Sequence, residues 1–185
     1  MITAAQIAAA CGCPLARAVQ WAPALSEAMH LYGIDTSARR AAFLAQVAHE
    51  SGRLLFVREI WGPTPAQLGY EGRRDLGNVR PGDGRRYCGH GPIQITGRAN
   101  HARARDELRL LVPTAPDFEA SPEMLEIPRW GALAAAEFWS RRGLNALADV
   151  GTPEACKRIS RAINGGDNGL ADRLALWHGA CAALA

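Results

Sequence analysis

The sequence is poor in several residue types, and each scarcity argues against a class of protein. Only 6% of its 185 residues are aromatic, and Lys157 is the single lysine. No stretch approaches the roughly twenty consecutive apolar residues of a membrane-spanning helix. The N-terminus lacks the early positive charge and the apolar run of a secretion signal. We therefore predict a protein that is made in the cytosol and has no stable membrane insertion.

Cysteine is scarce and irregularly placed. The chain has five cysteines, an odd number without the regular spacing of a disulfide framework. His49, Cys88 and His90 contain one Cys-x-His pair but no second pair of ligands, so a metal site is not expected. The sequence predicts no metal and no cofactor, and it predicts free, buried thiols.

The residues that are present are typical of a globular protein. With 48% hydrophobic and 21% charged residues, a chain of this length can bury one sizeable core. The net charge of +3 is carried almost entirely by arginine and fits an anionic polymer as substrate, without establishing one. Arg103, Arg105 and Arg109 resemble a nucleic-acid patch, but Asp106 and Glu107 interleave with them. We therefore expect no nucleic-acid partner, and nothing in the sequence requires more than a monomer.

Helix signals recur along the chain, and strand alternation is almost absent. Thr3 and Gln6 have the spacing of a capping box, which opens a first helix. The sequence therefore predicts a mainly α fold with seven or eight helices. The predicted helices run to about Ala10, from Pro14 to Gly33 with an interruption near Pro23, and from Ala38 to Ser51 behind a Ser37 cap, and then over roughly residues 99–111, 130–142, 152–163 and 170–183.

The segment between Gly62 and Gly97 interrupts the helical pattern. It contains nine glycines and four prolines, which exclude a continuous helix. Residues 87–96 are the only part that fits short strands or a hairpin. We expect this irregular segment to form one wall of a cleft.

Two glutamates nine residues apart, Glu50 and Glu59, are the candidate catalytic pair. Glu50 shares a helical face with Phe43 and Val47, so burial is expected to raise its pKa and keep its proton available. In a continuous helix the two carboxyl groups would lie on opposite faces, and Ser51-Gly52 provides a break between them. The pair fits inverting hydrolysis of a glycosidic bond, with Glu50 as general acid and Glu59 as general base. The alternative is a helix-end interaction for Glu50 and an ordinary surface charge for Glu59.

Three ordered motifs resemble glycoside hydrolase family 19. They are Ala45 to Gly52, which contains His-Glu-Ser-Gly, then Arg86 to Asn100, and then Ile163 to Gly166. The helical start, Ala22 to Glu50, and the spacing of the two glutamates look most like the short phage and prophage endolysins. The resemblance covers nearly the whole chain. It implies a lysozyme-like helical fold, with one catalytic domain over residues 1–185 and no separate cell-wall-binding module.

The resemblance also implies an activity and a setting for it. The activity would be inverting hydrolysis of the β-1,4 bonds between N-acetylmuramic acid and N-acetylglucosamine in bacterial peptidoglycan, for host cell lysis. Such an enzyme would accumulate in the host bacterial cytoplasm and reach the cell wall or periplasm by holin-dependent release. A chitinase acting on β-1,4-N-acetylglucosamine polymers, a lytic transglycosylase and a non-catalytic helical binding protein are the alternatives.

Roles for individual residues follow from the same motifs. The resemblance gives Thr96 the hydroxyl that helps to hold the attacking water, next to the acid Glu50 and the base Glu59. Structural roles remain the alternatives: the polar face of a strand for Gln94 and Thr96, a helix terminus for Asn164 and an ion pair for Arg98. Substrate binding is predicted for seven residues, namely Gln94, Asn164, Tyr87, Asn100, His49, Trp61 and Arg98.

The chain departs from the family pattern in two places that affect its chemistry. His90 stands where the family usually has an arginine between two glycines. A titratable imidazole thus replaces a fixed charge, and activity is expected to depend on pH. The segment after Glu59 lacks the Asn-Tyr-Ser-like run that is common in the family, and this leaves Glu71 and Asp75 as alternative candidates for the base.

Overall fold

A computed structural model describes residues 2–185, and most of these residues lie in α-helices. The predicted mainly α class is confirmed. There are more helices in this range than expected, because three of them have only four or five residues. The helices are α1 (Ala4–Cys11), α2 (Leu15–Leu31), α3 (Ser37–Glu50), α4 (Pro65–Leu68), α5 (Asp83–Arg86), α6 (Arg98–Leu111), α7 (Pro128–Arg141), α8 (Leu144–Ala148), α9 (Pro153–Asn164) and α10 (Leu170–Ala183), with 3-10 turns at Arg74–Leu76 and Pro122–Glu126.

The N-terminal helices follow their capping signals, with two corrections. Thr3 and Gln6 form the predicted capping box of α1. In α3 the cap is Thr36 and not Ser37, because the Thr36 hydroxyl accepts the backbone N–H three residues on. The interruption predicted near Pro23 is wrong, since α2 continues through it. The extensive packing of α2 on α7 offsets the roughly 3 kcal/mol that an internal proline costs.

The core lies between two pairs of helices, α2 with α7 and α3 with α10. Every residue of α3 from Ala41 to Ala48 is buried, so this helix runs through the middle of the fold. Phe43 and Trp139 meet edge to face with ring centroids 5.5 Å apart, which joins α3 to α7. Glu50 follows directly after the buried stretch, at the point where α3 emerges from the core.

The irregular segment between Gly62 and Gly97 is also observed. The hairpin predicted within residues 87–96 is reduced to a tight turn, in which His90 and Ile95 exchange two backbone hydrogen bonds of 3.0 and 2.9 Å. Gly97 ends this turn with a φ of 95° and begins α6. A Cβ at this position would lie 2.7 Å from Leu76 O, so both the conformation and the close approach require glycine.

Several features of residues 2–185 bear on the type of protein. No helix in this range is both long and apolar enough to cross a membrane. All five cysteines are free thiols and four are buried, and burial raises the pKa of Cys156 to about 11. In the same range, no three His, Cys, Asp or Glu side chains converge as metal ligands would.

Candidate active site

Glu50 ends α3 and is bound by an arginine from α10. Its Oε1 accepts a hydrogen bond of 2.5 Å from Arg173 Nη2, and the Arg173 side chain is 3% exposed against 22% for Glu50. Arg173 Nη1 donates to Gln46 Oε1, one turn earlier on α3. The apolar surroundings predicted for the Glu50 carboxyl are therefore wrong. The spacing within α3 could not reveal this ion pair, because its partner comes 123 residues later in the chain.

A second ion pair lies next to the first and joins the same two helices. Asp172 on α10 contacts His49 Nδ1 at 2.6 Å and Arg53 Nη2 at 2.5 Å. Arg53 and, less strongly, His49 lower the pKa of the Asp172 carboxyl. Gly169 allows this approach, since a Cβ there would collide with the His49 ring. One ring nitrogen of His49 thus holds α3 to α10. The predicted contact of His49 with substrate stays a prediction.

Glu59 lies beyond α3, and neutral donors hold both of its carboxylate oxygens. Oε1 accepts from Gln67 Nε2 at 2.9 Å and from the Tyr70 hydroxyl at 3.3 Å, and Oε2 accepts from the Gly89 N–H at 2.9 Å. Burial and the Glu59 charge raise the pKa of Tyr70, which keeps its phenol protonated and able to donate. Glu59 is therefore oriented by dipoles, whereas Glu50 is oriented by a charge.

The two alternative candidates for the base are engaged elsewhere. Glu71 accepts the backbone N–H groups of Gly82 and Gly84 at 2.7 and 2.8 Å, which closes the loop before α5. Asp75 is exposed and pairs with Arg73, and this guanidinium lowers the pKa of Asp75. Neither carboxylate contacts the motif backbone as Glu59 does through Gly89.

The backbone around Glu59 pairs with the start of the motif. Glu59 N–H donates to Gly89 O at 2.7 Å, and Gly91 N–H donates to Val57 O at 2.8 Å. A Cβ on Gly89 would lie 2.5 Å from Gln94 Oε1, so the glycine lets the Gln94 side chain lie against the motif backbone. The candidate base and the motif turn therefore form one hydrogen-bonded unit.

Three of the predicted site residues, Gln94, Thr96 and Asn100, line one pocket of about 240 Å³. The Thr96 hydroxyl donates to Gln94 O at 3.0 Å, and Asn100 Nδ2 donates to Thr96 O at 2.7 Å. Glu50 and Glu59 do not line this pocket. Six further lining residues come from α6, from α7 and from the residue that follows α7, namely Arg103, Ala104, Glu137, Phe138, Arg141 and Arg142.

Tyr87 and Arg98 line a second pocket, of about 680 Å³, and both make structural contacts, so their role in substrate binding stays a prediction. Tyr87 is 1% exposed, and its hydroxyl donates to Glu119 O at 2.8 Å. Arg98 stacks over the Tyr87 ring at 4.7 Å. All three of its guanidinium nitrogens donate to the carboxylates of Asp83 and Glu119, so the ion-pair alternative describes Arg98 better. Side-chain burial of this kind depends on partners distant in sequence, which the motif does not show.

Asn164 and Trp61 are half-buried and lie near the two candidate carboxyl groups. Asn164 ends α9, where its Oδ1 accepts from Gly166 N–H and its Nδ2 donates to Asn168 O. Asn168 O also accepts from Arg173 Nε at 3.3 Å, so Asn168, just after the third motif, links Asn164 to the arginine that holds Glu50. The Trp61 ring lies 6.4 Å from the ring of Tyr70, a donor to Glu59.

His90 is buried, so the titratable group in the motif does not face solvent. Its Nδ1 lies 3.2 Å from His101 Nε2, and His101 Nδ1 lies 2.9 Å from Gly97 O. Because a carbonyl only accepts, His101 is assigned a protonated Nδ1 and accepts from His90 at Nε2. Burial lowers the pKa of His90 and lowers that of His101 to about 4. Near neutral pH the imidazole therefore does not replace the missing arginine charge.

The sequence contained a signal for Arg173 that the motifs did not use. The buried face of α10 consists of Arg173, Leu176, Trp177 and Ala180, at helical spacings of three, four and seven. An arginine on such a face must be paired. Gln67 and Tyr70, the side-chain donors to Glu59, carry no comparable signal.

Known proteins resemble the chain in both sequence and fold. No protein-family model matches it. A glycosyl hydrolase family 19 domain-containing protein of Haemophilus influenzae is 28% identical over 181 residues, covering 83% of this chain and 84% of that protein. The crystal structure of chitinase C from Streptomyces griseus HUT6037 matches 99% of this chain and 76% of its own with a TM-score of 0.70 at 21% identity, which confirms the predicted lysozyme-like fold. Together with the three ordered motifs, these likenesses confirm the predicted resemblance to glycoside hydrolase family 19 and support a glycoside hydrolase, an enzyme that cleaves glycans.

Proposed function

We propose that this glycoside hydrolase is a peptidoglycan-degrading endolysin of phage or prophage origin. It would cleave the β-1,4 bonds between N-acetylmuramic acid and N-acetylglucosamine by inversion, with Glu50 as acid and Glu59 as base. It would accumulate in the host cytoplasm as a monomer and reach the wall by holin-dependent release. The observations that carry the mechanism are the Glu50 Oε2, to which no residue in 2–185 donates while Arg173 holds Oε1, and the hydrogen bond that joins the Glu59 carboxylate to the motif backbone at Gly89.

In this mechanism Glu50 delivers its proton from Oε2. Arg173 occupies Oε1, and no residue in 2–185 donates to Oε2, so Oε2 is the oxygen free to face the leaving group. The side chain is 22% exposed, which leaves a path for the glycan to reach it. A positioned acid of this kind contributes roughly 10²- to 10⁴-fold to the rate.

Glu59 would take a proton from the water that attacks the sugar. A carboxylate has about four lone-pair sites, and the three donors leave capacity for that water. Inversion needs the carboxyl groups roughly 6.5 to 9.5 Å apart so that the water fits between them. The Thr96 hydroxyl donates to Gln94 O and keeps its lone pairs, so it can accept from the same water.

Two substitutions that keep side-chain shape test the assignment of acid and base. Glu50→Gln and Glu59→Gln should each lower peptidoglycan hydrolysis at least about 100-fold, with unfolding close to that of the wild type. A substrate with an activated aryl leaving group needs little protonation. It should therefore restore the rate of the Glu50→Gln variant but not that of the Glu59→Gln variant. Azide, which replaces the activated water, should recover Glu59→Gln only. Asp75→Asn is the matched control and should keep full activity, and a wild-type rate for Glu50→Gln would contradict the mechanism.

Mass spectrometry of the fragments released from purified peptidoglycan, with chitin oligomers in parallel, tests the substrate. Reducing N-acetylmuramic acid ends would support the proposal, and reducing N-acetylglucosamine ends would move the cut to the other bond. Anhydro ends would indicate transglycosylation. Fragments from chitin alone would favour a chitinase, which the likeness in fold to chitinase C makes the second candidate. No fragments from either polymer would indicate a non-catalytic binding protein.

A further inference from the structure

The pocket beside Thr96 carries more positive charge than an uncharged sugar requires. Arg103 from α6, Arg141 at the end of α7 and Arg142 just after it line this pocket. Glu137 is the one acidic side chain among the described lining residues. Three guanidinium groups thus face a single carboxylate.

That carboxylate neutralises only one of the three arginines. Glu137 Oε1 accepts from Arg141 Nε at 2.8 Å, and the Glu137 side chain is buried. Arg142 donates to the backbone oxygen of Ala162 and lies 3.8 Å above the Phe138 ring, neither of which cancels its charge. Arg103 takes part in no ion pair within residues 2–185. Two positive charges at the pocket therefore lack an acidic partner.

This arrangement differs from that of the ion-paired arginines elsewhere in the fold. Arg98 pairs with Asp83, and Arg129 pairs with Glu27, each through more than one hydrogen bond. At the pocket, by contrast, burial and the charges of Arg141 and Arg103 lower the pKa of Arg142, and the charge of Glu137 opposes this shift only in part. Like charges this close repel one another, and a bound anion would remove the repulsion.

We propose that Arg103 and Arg142 form a subsite for the carboxylates that peptidoglycan carries and chitin lacks. The inference rests on the proposed function. N-acetylmuramic acid bears a lactyl carboxyl, which is free in bare strands and amide-linked to acidic peptide stems in the wall, whereas N-acetylglucosamine is uncharged. A guanidinium binds a carboxylate through two parallel hydrogen bonds, so arginine suits this recognition better than lysine.

The size and lining of the pocket agree with this use. Its volume of about 240 Å³ lies below the roughly 300 to 1,000 Å³ of sites that enclose a whole small molecule. It therefore suits one acidic substituent that projects from a glycan chain. Gln94 and Asn100 provide amide groups for the neutral part of the sugar, and the two arginines bind the acid. The same pocket would then select a muramic acid residue over N-acetylglucosamine.

The test compares one glycan in two charge states. Strands freed of peptide by an amidase carry lactyl carboxylates, and converting these to amides keeps the strand but removes the charge. For the wild type, kcat/KM should fall about tenfold on amidation, mainly through KM, and added salt should reduce this difference. Strands that retain their stems form a third substrate, which shows whether stem carboxylates also bind the subsite.

The double variant Arg103→Gln/Arg142→Gln should cleave the charged and the amidated strands with similar kcat/KM. Arg158→Gln, an exposed arginine on α9, is the matched control and should keep the wild-type preference. A double variant that still prefers the charged strand by about tenfold would overturn the subsite. If the wild type cleaves no peptidoglycan, the proposed function fails instead. The subsite is then tested by calorimetric binding of muramic acid fragments, where equal affinity of wild type and double variant would overturn it.

Discussion

The buried imidazole of His101 is expected to make the protein less stable in mild acid. The ring is fully buried on α6, against Tyr87 and His90, and is hydrogen bonded to His90 and to Gly97 O. Burial lowers its pKa from 6.5 to about 4, and the hydrogen bond to Gly97 O opposes this shift only in part. The His101 ring is therefore neutral in the folded protein near neutral pH.

The size of the effect follows from proton linkage. In the unfolded chain the ring binds a proton as the pH falls through 6.5, whereas in the folded protein it binds only near a pH of about 4. Between these values the unfolded state holds more protons, so the free energy of unfolding falls as the pH falls. From about pH 7 to about pH 5 the loss is about 2 kcal/mol, at roughly 1.4 kcal/mol per pKa unit. In a chain of this size that corresponds to a fall in Tm of roughly 4 to 8 °C.

Urea unfolding of wild type and His101→Gln at about pH 7 and about pH 5 measures this loss. The glutamine keeps an acceptor for His90 but does not titrate, so its loss of stability between the two pH values should be about 2 kcal/mol smaller. The variant is expected to be less stable overall, and only the difference between pH values is diagnostic. His178→Gln, which removes an exposed imidazole, should show the wild-type loss. Equal losses for wild type and His101→Gln would refute the argument from burial.

Three further substitutions test features of the fold near the site. Tyr87→Phe removes the hydrogen bond to Glu119 O and should cost about 1 kcal/mol without changing KM, whereas a raised KM would make Tyr87 a binding residue. Gly97→Ala should cost at least about 2 kcal/mol in thermal unfolding, because its φ is 95° and its Cβ would meet a backbone oxygen; wild-type stability would contradict the close approach. Phe43→Ala should cost about 3 to 5 kcal/mol, and a loss below about 1 kcal/mol would mean that the core repacks around the missing ring.

Local signals in the sequence predicted most of the helices well. The last helix has the predicted bounds, Leu170 to Ala183, and Thr3 with Gln6 caps the first helix as expected. These features depend on residues three or four positions apart. The continuity of α2 through Pro23 was not predictable in this way, because it depends on packing against a helix about a hundred residues later.

In the candidate site, too, the features that depend on nearby residues differ from those that depend on distant ones. Gln94, Thr96 and Asn100 line one pocket because they are close in sequence, within one turn and the first turn of α6, and their roles stay predictions. The prediction of apolar surroundings for Glu50 was wrong, since its helix ends against Arg173 and not against apolar side chains alone. Tyr87 looked like a binding residue because a motif shows which side chains are near in sequence but not which are buried.

The pairing of α3 with α10 also determines when the surroundings of Glu50 are completed during synthesis. A ribosome translates both candidate catalytic glutamates early, but the guanidinium that holds Glu50 follows 123 residues later. A nascent chain that already contains all three motifs, up to Gly166, still lacks Arg173 and Asp172. Cleavage or a premature stop in the short stretch before α10 would therefore release a protein that contains all three motifs but lacks the arginine that holds Glu50.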